Sequence, residues 1–492
     1  MMDDIKLESF YKDWLKILPQ LNEGYIYDNN KNLRPIRYVF LYFKKIIYRF
    51  LTDKIDELEK IVLLPGIRGV GKTTFLMQLL KIEKFLDPNN SLDFEIIQNL
   101  NKLDYRFYFD VSKLCFEQIT LNDFFKFFEK VNNFNFVSPD KKIVILLDEV
   151  HFDNKWSLFL KVLFDSIKGH KNLLVIATGS SAINLKMSAD LMRRTTLVEL
   201  FPMKFSEYLV LKHNIFPIQD ISEELREIIF NSQDAKMVFS KLKEKELEIN
   251  RFFINLPDRC EDNFLKNGGF PFVIGLQNDV EISERIRNVI DGIITKDIIT
   301  LKKFKSETIS KINNLLYLLA NSDVISYEKL LHTLRIDNIR TLSSLLDVLV
   351  MAGVLIRVKC YGQTYGTTRK TPKYLFITPS LRNAILNGNF PSGIEGKKIE
   401  DYFALIFEND LKKTVAQNLY YDIAEGGADF VLNLKNRSNI VIEVGFNKEE
   451  TRQVEKTMKK VKSSYGLVFG SNKLELVNKS IVKIPLKFLM LI

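Results

Sequence analysis

The residues best equipped for chemistry lie in one short stretch. Gly66-Ile67-Arg68-Gly69-Val70-Gly71-Lys72-Thr73 fits the pattern G-x-x-x-x-G-K-[ST] at every fixed position. Glycines at that spacing let the backbone wrap tightly, so successive N–H groups and a helix N-terminus can face a phosphate. The lysine then reaches the outer phosphates, and the hydroxyl after it can ligate Mg2+. These eight residues and Thr74 are therefore expected to hold a nucleotide, with Lys72 catalytic and Thr73 on the metal. A second pair, Asp148-Glu149, ends the apolar run Ile143-Val144-Ile145-Leu146-Leu147. Asp148 would hold the water shell of the metal, and Glu149 would polarise an attacking water as general base.

The elements needed to position these groups are legible around them. The apolar run Ile61 to Leu64 reads as a buried strand leading into the glycine loop, and Thr73 to Leu80 reads as the helix leaving it. A continuous apolar run such as Ile143 to Leu147 suits a parallel strand buried on both faces, with ligands at its C-terminal edge. A strand from Tyr105 to Phe109, closed by Asp110, falls between the two motifs in sequence and leaves room for an inserted strand. Just before it, Asn101-Lys102-Leu103-Asp104 spells the guanine-reading N-K-x-D, but it precedes the Asp148 strand where that motif should follow. Leu173 to Ala177 forms another strand, ending in Thr178-Gly179-Ser180-Ser181. The Thr178 and Ser180 hydroxyls would sit beside the γ-phosphate. A helix from Ser181 to Met192 leads to Arg193-Arg194. One of these would serve as an arginine finger, in cis or from a neighbouring subunit; a salt-bridged surface pair is the equal alternative. Thr196 to Leu200 closes the sheet.

Taken in order, the glycine loop, DEVH, ATGSS, RRTTLVELFPMKFSEYL and GGFPFVIG resemble the archaeal and bacterial AAA-type ATPases related to the signal-transducing STAND group, over roughly residues 55 to 300. Glu149 after Asp148 also resembles the additional-strand, catalytic-glutamate class of P-loop ATPases. The resemblance implies ATP and Mg2+ as cofactors. It implies a helical lid in which a Gly-x-Pro contacts the adenine, matched here by Gly269-Phe270-Pro271, so that Pro271 joins the nucleotide-binding residues.

Beyond the lid the texture changes. Helices are expected at Ile309 to Leu319, at Ser326 to Leu334 with Ser326 as N-cap, and at Asn338 to Met351 with Gly353 as its stop. Strands Val354 to Lys359 and Tyr374 to Ile377 would form a hairpin. Three helices and a hairpin make a winged helix, whose third helix often enters a DNA major groove. Arg340 on that helix and Arg369, Lys370 and Lys373 on the wing are the basic side chains available. In the last hundred residues, a helix carrying Glu400, a hairpin carrying Asp429 and a strand carrying Glu443 follow the layout of the PD-(D/E)xK nuclease fold. The lysine that activates water should share the strand face of Glu443, which period-two geometry places at position 445. That position is Gly445. Lys448 is expected off the face and past the strand, leaving Lys456 and Lys459 on the next helix as substitutes. Glu400, Asp429 and Glu443 are thus read as a degenerate nuclease site in a domain kept for binding. The layout resembles the C-terminal domain that often follows the AAA core in the same family.

Composition sets the outer bounds. A chain of 492 residues suggests about three domains by length, and 46% hydrophobic with 27% charged residues gives material for several cores. The net charge of +10 favours an anionic partner, either nucleic acid or an acidic protein face. Cys115, Cys260 and Cys360 lie far apart and fit neither a metal spacing nor a disulfide framework, so a reducing cytoplasmic setting is expected. The opening MMDDIKLESF has no apolar signal core, and no apolar run approaches the about 18 residues of a membrane span. Residues 1–54, rich in aromatic and basic side chains, read as a helical segment with one face in the core.

The sequence thus specifies an α/β protein. A P-loop NTPase core with a parallel sheet (55–215) is followed by a helical lid (216–305), a winged helix (306–390) and an α/β restriction-endonuclease-like domain (391–492). The leading functional expectation is an ATP-binding and ATP-hydrolysing AAA/STAND-like switch that acts on duplex DNA or a protein partner. The alternatives are an ATP-gated DNA-binding regulator without significant turnover and an active metal-dependent DNA nuclease. No membrane partner is expected, and oligomerisation is left open.

Overall fold

Five strands build the first sheet among the described residues: β1 (Ile61–Pro65), β2 (Leu103–Asp110), β3 (Lys142–Asp148), β4 (Leu173–Gly179) and β5 (Thr196–Leu197). All pair in parallel, in the order β2-β3-β4-β1-β5. Every residue of β1, β3 and β4 is buried, which is why these strands read as unbroken apolar runs. The strand lying between the glycine-loop strand and the Asp148 strand is β4. The strand that falls between those motifs in sequence, β2, takes the edge instead. The final strand is short, but Val198 and Leu200 extend it by donating to the carbonyls of Leu63 and Pro65.

The computed structural model describes residues 4–133, 135–136, 139–179, 189–298, 304–322, 325–362, 371–435 and 438–492. It divides into two units, Met1–Leu200 and Phe201–Ile492. Helices of the first unit include α1 (Asp4–Ile26), α2 (Val39–Leu51), α3 (Lys72–Leu80), α4 (Ser91–Asn99), α5 (Val111–Phe116), α6 (Leu121–Asn132) and α7 (Trp156–Ser166). The edge strand β2 is covered by α1 and α6 through an aromatic cluster. Phe107 meets Phe128 at 4.5 Å, Phe109 meets Phe124 at 4.7 Å and Tyr11 meets Phe128 at 5.4 Å, all edge to face. The N-terminal segment is thus built into the core of this unit.

The second unit begins with helices, among them Phe205–His213, Ile221–Asn231, Ala235–Ile254, Cys260–Asn267 and Asp279–Gly292. Helices Ile312–Asn321, Tyr327–Leu334 and Ile339–Met351 follow; Ser326 caps the second as read from sequence, and Asn338, expected inside the third, is its N-cap. Gly353, with φ of +73°, ends the last of them. The hairpin of β6 (Leu355–Cys360) and β7 (Lys373–Phe376) is antiparallel. It is not a separate wing. Strand β6 also pairs in parallel with β8 (Ala416–Tyr421), so the hairpin forms one end of an eight-stranded sheet among the described residues. The sheet continues through β9 (Phe430–Leu434), β10 (Asn439–Val444) and β11 (Ser463–Phe469), then β13 (Ile481–Ile484) with β12 (Glu475–Val477) at the far edge.

A fully buried ion pair ties this unit together. Arg382 donates from Nε to Asp401 Oδ2 at 2.6 Å and from Nη2 to Oδ1 at 2.8 Å. It also donates to the Ala320 carbonyl at 2.8 Å, while Asp401 Oδ1 accepts from the Phe376 N–H at 2.8 Å. Four elements therefore share one charge pair whose loss from either side would leave a buried charge, at a cost of about 3–5 kcal/mol. Among the described residues, no helix is long and apolar enough to cross a membrane.

Candidate nucleotide site and a second carboxylate centre

The glycine loop joins the end of β1 to the start of α3. Gly69 and Gly71 take φ of +83° and +93°, the left-handed region that a side chain disfavours. At Gly66, a Cβ would stand 2.5 Å from the Leu200 carbonyl oxygen, so the loop can pass β5's extension only as glycine. Lys72 is buried, and its Nζ lies in the loop, donating to the Gly66 and Ile67 carbonyls at 2.8 and 3.2 Å. Ile67 and Val70 are buried beneath it. Arg37, from the segment before α2, donates to the Val70 carbonyl at 2.9 Å and holds the loop from outside.

Asp148 sits at the C-terminal end of β3 with 2% exposure. Thr178 donates its hydroxyl to Oδ1, and Tyr108 donates to Oδ2 at 3.0 Å. Burial, followed by the Glu149 charge, raises the Asp148 pKa, while Thr178, Thr73 and Lys72 oppose that rise. Asp110 stands opposite Asp148 in register on β2, and its pKa is also raised, first by burial. Tyr108 is pushed far above the ordinary phenol value by burial and by Asp148, so it remains a donor. Glu149 takes φ of +54°, with its N–H 3.3 Å from Thr178 Oγ1 and its carboxylate 3.6 Å from His151 Nε2.

This donor set fits a magnesium nucleotide. The loop offers a backbone cradle beside a buried ammonium, and Thr73 lies close enough to Asp148 to lower its pKa, where the two would share one cation. A divalent cation bound there would screen phosphate charge. Lys72 would hold the phosphates, Thr73 and Asp148 would orient the metal, and Glu149 would take a proton from water.

The remaining predicted residues are distributed unevenly. Thr178 lies in the site. Ser180 falls outside the described residues. Arg194 pairs with Asp165 on α7 at 2.9 Å and donates to the Asp190 carbonyl at 3.0 Å, while Arg193 is exposed. Gly269 and Pro271 lie in the second unit. There the Gly269 N–H donates to Ser380 Oγ at 2.8 Å, and a Cβ on Gly269 would stand 2.3 Å from Thr378 Oγ1. Pro271 opens the short helical turn Pro271–Val273.

In the second unit, Glu400, Asp429 and Glu443 are brought into one cluster. The Asp429 N–H donates to Glu443 Oε2 at 3.0 Å, and the Val444 N–H donates to Asp429 Oδ2 at 3.1 Å. Two expectations are corrected here. Lys373 does not face a nucleic acid from the wing: it is buried, ion-paired with Glu400 and 3.4 Å from Asp429 Oδ1. Arg369 and Lys370 lie outside the described residues, and Arg340 is exposed. Nor is Lys448 out of reach. Asn447, with φ of +50°, turns the chain after β10, and the Lys448 N–H donates to the Gly470 carbonyl at 3.0 Å. The side chain then folds over Gly445, where a Cβ would lie 3.3 Å from Lys448 Cδ, and reaches Glu443 Oε1 at 2.7 Å. Glycine at 445 is the space through which Lys448 passes. Lys456 instead donates to the Glu425 carbonyl, and Lys459 is exposed. Burial and the Asp429 charge push Glu443 up to about 7.

Tyr108 and Arg37 at the first site, and Lys373 at the second, were not read as site residues. Only Tyr108 left a usable signal: period two places it on the strand face of Asp110, the carboxylate at the end of the same strand.

The β2-β3-β4-β1-β5 order with a glycine loop after β1 and an acidic pair after β3 defines an AAA-type P-loop ATPase fold, and the family profile of an AAA domain matches residues 58–209. Residues 262–392 match a second profile, a domain of unknown function (DUF8612). Over 465 residues the chain is 34% identical to the uncharacterized protein MJ1637 of Methanocaldococcus jannaschii, covering 91% of this chain and 89% of that protein, and it belongs to the same family. The uncharacterized protein MJ1544 of that organism is 23% identical over 293 residues, covering 59% of this chain and 53% of its own length. Among solved structures, the Walker-type ATPase PABY2304 of Pyrococcus abyssi is similar at 16% identity and a TM-score of 0.35, covering 72% of this chain and 99% of that one.

Proposed function

We propose that the protein is a Mg2+-dependent ATPase of the AAA/STAND-like switch type, working in a reducing, cytoplasmic setting on DNA or a protein partner. The observation that carries this reading is the buried Asp148 carboxylate at the end of β3, held by the Thr178 and Tyr108 hydroxyls, with Lys72 and Thr73 of the loop helix close enough to lower its pKa and Glu149 directly after it. The free thiols of Cys115, Cys260 and Cys360 accord with the setting. The helices and hairpin of 306–390 are read as a winged helix absorbed into the second sheet, and DNA contact there rests on Arg340 and the net charge of +10.

The test is phosphate release from ATP, with and without duplex DNA, for the wild type and Lys72→Ala. Hydrolysis that depends on Lys72 supports the reading, and stimulation by DNA makes DNA the leading partner. Tight ATP binding retained in Lys72→Ala overturns the loop assignment. Lys72-dependent ATP binding without turnover favours an ATP-gated regulator.

The residues 391–492 are read as a nuclease-like fold without nuclease activity. Lys448 supplies a lysine at Glu443, which favours an active centre, but Lys373 neutralises Glu400 and Asp429 where a metal would bind. Incubation with Mn2+ and supercoiled DNA, with Asp429→Ala as control, decides it; cleavage lost in that variant would establish the nuclease.

A further inference from the structure

We propose that Tyr108 is a positioning residue for the divalent cation of the nucleotide site, held in place by helix α1. The proposal rests on the ATPase reading. A carboxylate at a strand end can rotate about its last torsion, and a metal needs it in one orientation. Here each Asp148 oxygen is fixed by a hydroxyl, Thr178 on Oδ1 and Tyr108 on Oδ2. Hydroxyl donors orient a carboxylate without cancelling its charge, so the anion remains available to a cation.

The Tyr108 ring has little freedom. It is 2% exposed, and the Trp14 indole stacks on it with centroids 5.9 Å apart and planes at 21°. Trp14 Nε1 also donates to the Tyr108 carbonyl at 2.9 Å. Further along α1, Asn22 Nδ2 donates to the Met77 carbonyl at 3.1 Å on α3, the helix whose first residues are Lys72 and Thr73. One helix therefore braces both the strand that carries Tyr108 and the helix that carries the phosphate-binding lysine. Phenylalanine would fill the same volume at position 108, so packing alone does not account for the buried hydroxyl at Asp148.

The test is Mn2+ binding to the full chain in the presence of ADP, followed by electron paramagnetic resonance. Tyr108→Phe is expected to weaken Mn2+ binding about tenfold, the range for losing a hydrogen bond to a charged group. ADP affinity in EDTA should stay at the wild-type value. In turnover, the Mg2+ concentration for half-maximal rate should rise by a similar factor, and excess Mg2+ should restore the rate. Wild-type Mn2+ affinity in Tyr108→Phe, with the wild type itself binding in a Lys72-dependent way, overturns this proposal alone. Absence of Lys72-dependent Mn2+ and ADP binding in the wild type overturns the ATPase reading with it. If Tyr108→Phe fails to fold, Trp14→Phe takes its place; it keeps the phenol and loosens its clamp, so a smaller weakening of Mn2+ binding is expected and an unchanged affinity overturns the proposal.

Discussion

Two carboxylate clusters among the described residues include a strand-end acid, Asp148 in one and Glu443 in the other, and their surroundings treat the charge in opposite ways. Around Asp148 the direct hydrogen-bonding partners are the hydroxyls of Thr178 and Tyr108, with the Lys72 charge acting nearby. Around Glu400, Asp429 and Glu443 the partners include two ammonium groups, Lys373 and Lys448. Hydroxyls satisfy lone pairs and leave the charge; lysines remove it. On the proposed reading, the first arrangement leaves a charge for a cation, and the second holds its acids in internal ion pairs. Acidic residues at the expected places do not alone distinguish a catalytic centre from a structural one, because the donors around them decide what the charge is available for.

The largest effect that sharpens this contrast is Glu149→Gln, expected to lower ATP turnover by about 10^2–10^4-fold, the range for removing a general base, with nucleotide affinity retained. Undiminished turnover would remove Glu149 from that role. Next is Lys373→Met. It strands Glu400 and Asp429 without their shared cation, and chemical denaturation should show a loss of about 3–5 kcal/mol in the second unit. A variant as stable as the wild type would mean that the Lys373 ion pairs do not hold these acids.

A smaller effect depends on pH. Glu443 has its folded pKa raised from 4.5 to about 7, so the folded state binds more proton than the unfolded state between these values. Its contribution to stability therefore falls as pH rises from about 4.5 to about 7 and is level outside that window. The stability of the wild type relative to Glu443→Gln should decline across this window in thermal melts. A constant difference would contradict the assignment. The smallest effect is Arg194→Ala, where a half-exposed pair with Asp165 predicts less than about 1 kcal/mol of stability and unchanged turnover. A fall in turnover of about 10^3-fold or more would instead mark Arg194 as an arginine finger.

How far the sequence reached can be judged residue by residue. The glycine loop was legible because its conformation is local: Gly69 and Gly71 need positive φ, and the lysine and threonine follow at once. The buried strands were legible because parallel strands covered on both faces are written as apolar runs, and the cap Ser326 because a cap acts within three residues. The partner of a strand is not local, so β4 rather than β2 came to lie beside β1.

The sequence by itself determined the glycine loop with its lysine and threonine, and which acids end the central strands. The tertiary structure alone decided what surrounds those acids. Tyr108 lies 40 residues from Asp148, Trp14 lies 94 from Tyr108, and Lys373 lies 56 from Asp429. At position 445 the sequence shows a missing lysine, while the folded chain shows the gap through which Lys448 reaches Glu443. The physical reason is the same in each case: backbone conformation is set by neighbours along the chain, whereas the state of a buried charge is set by neighbours in space.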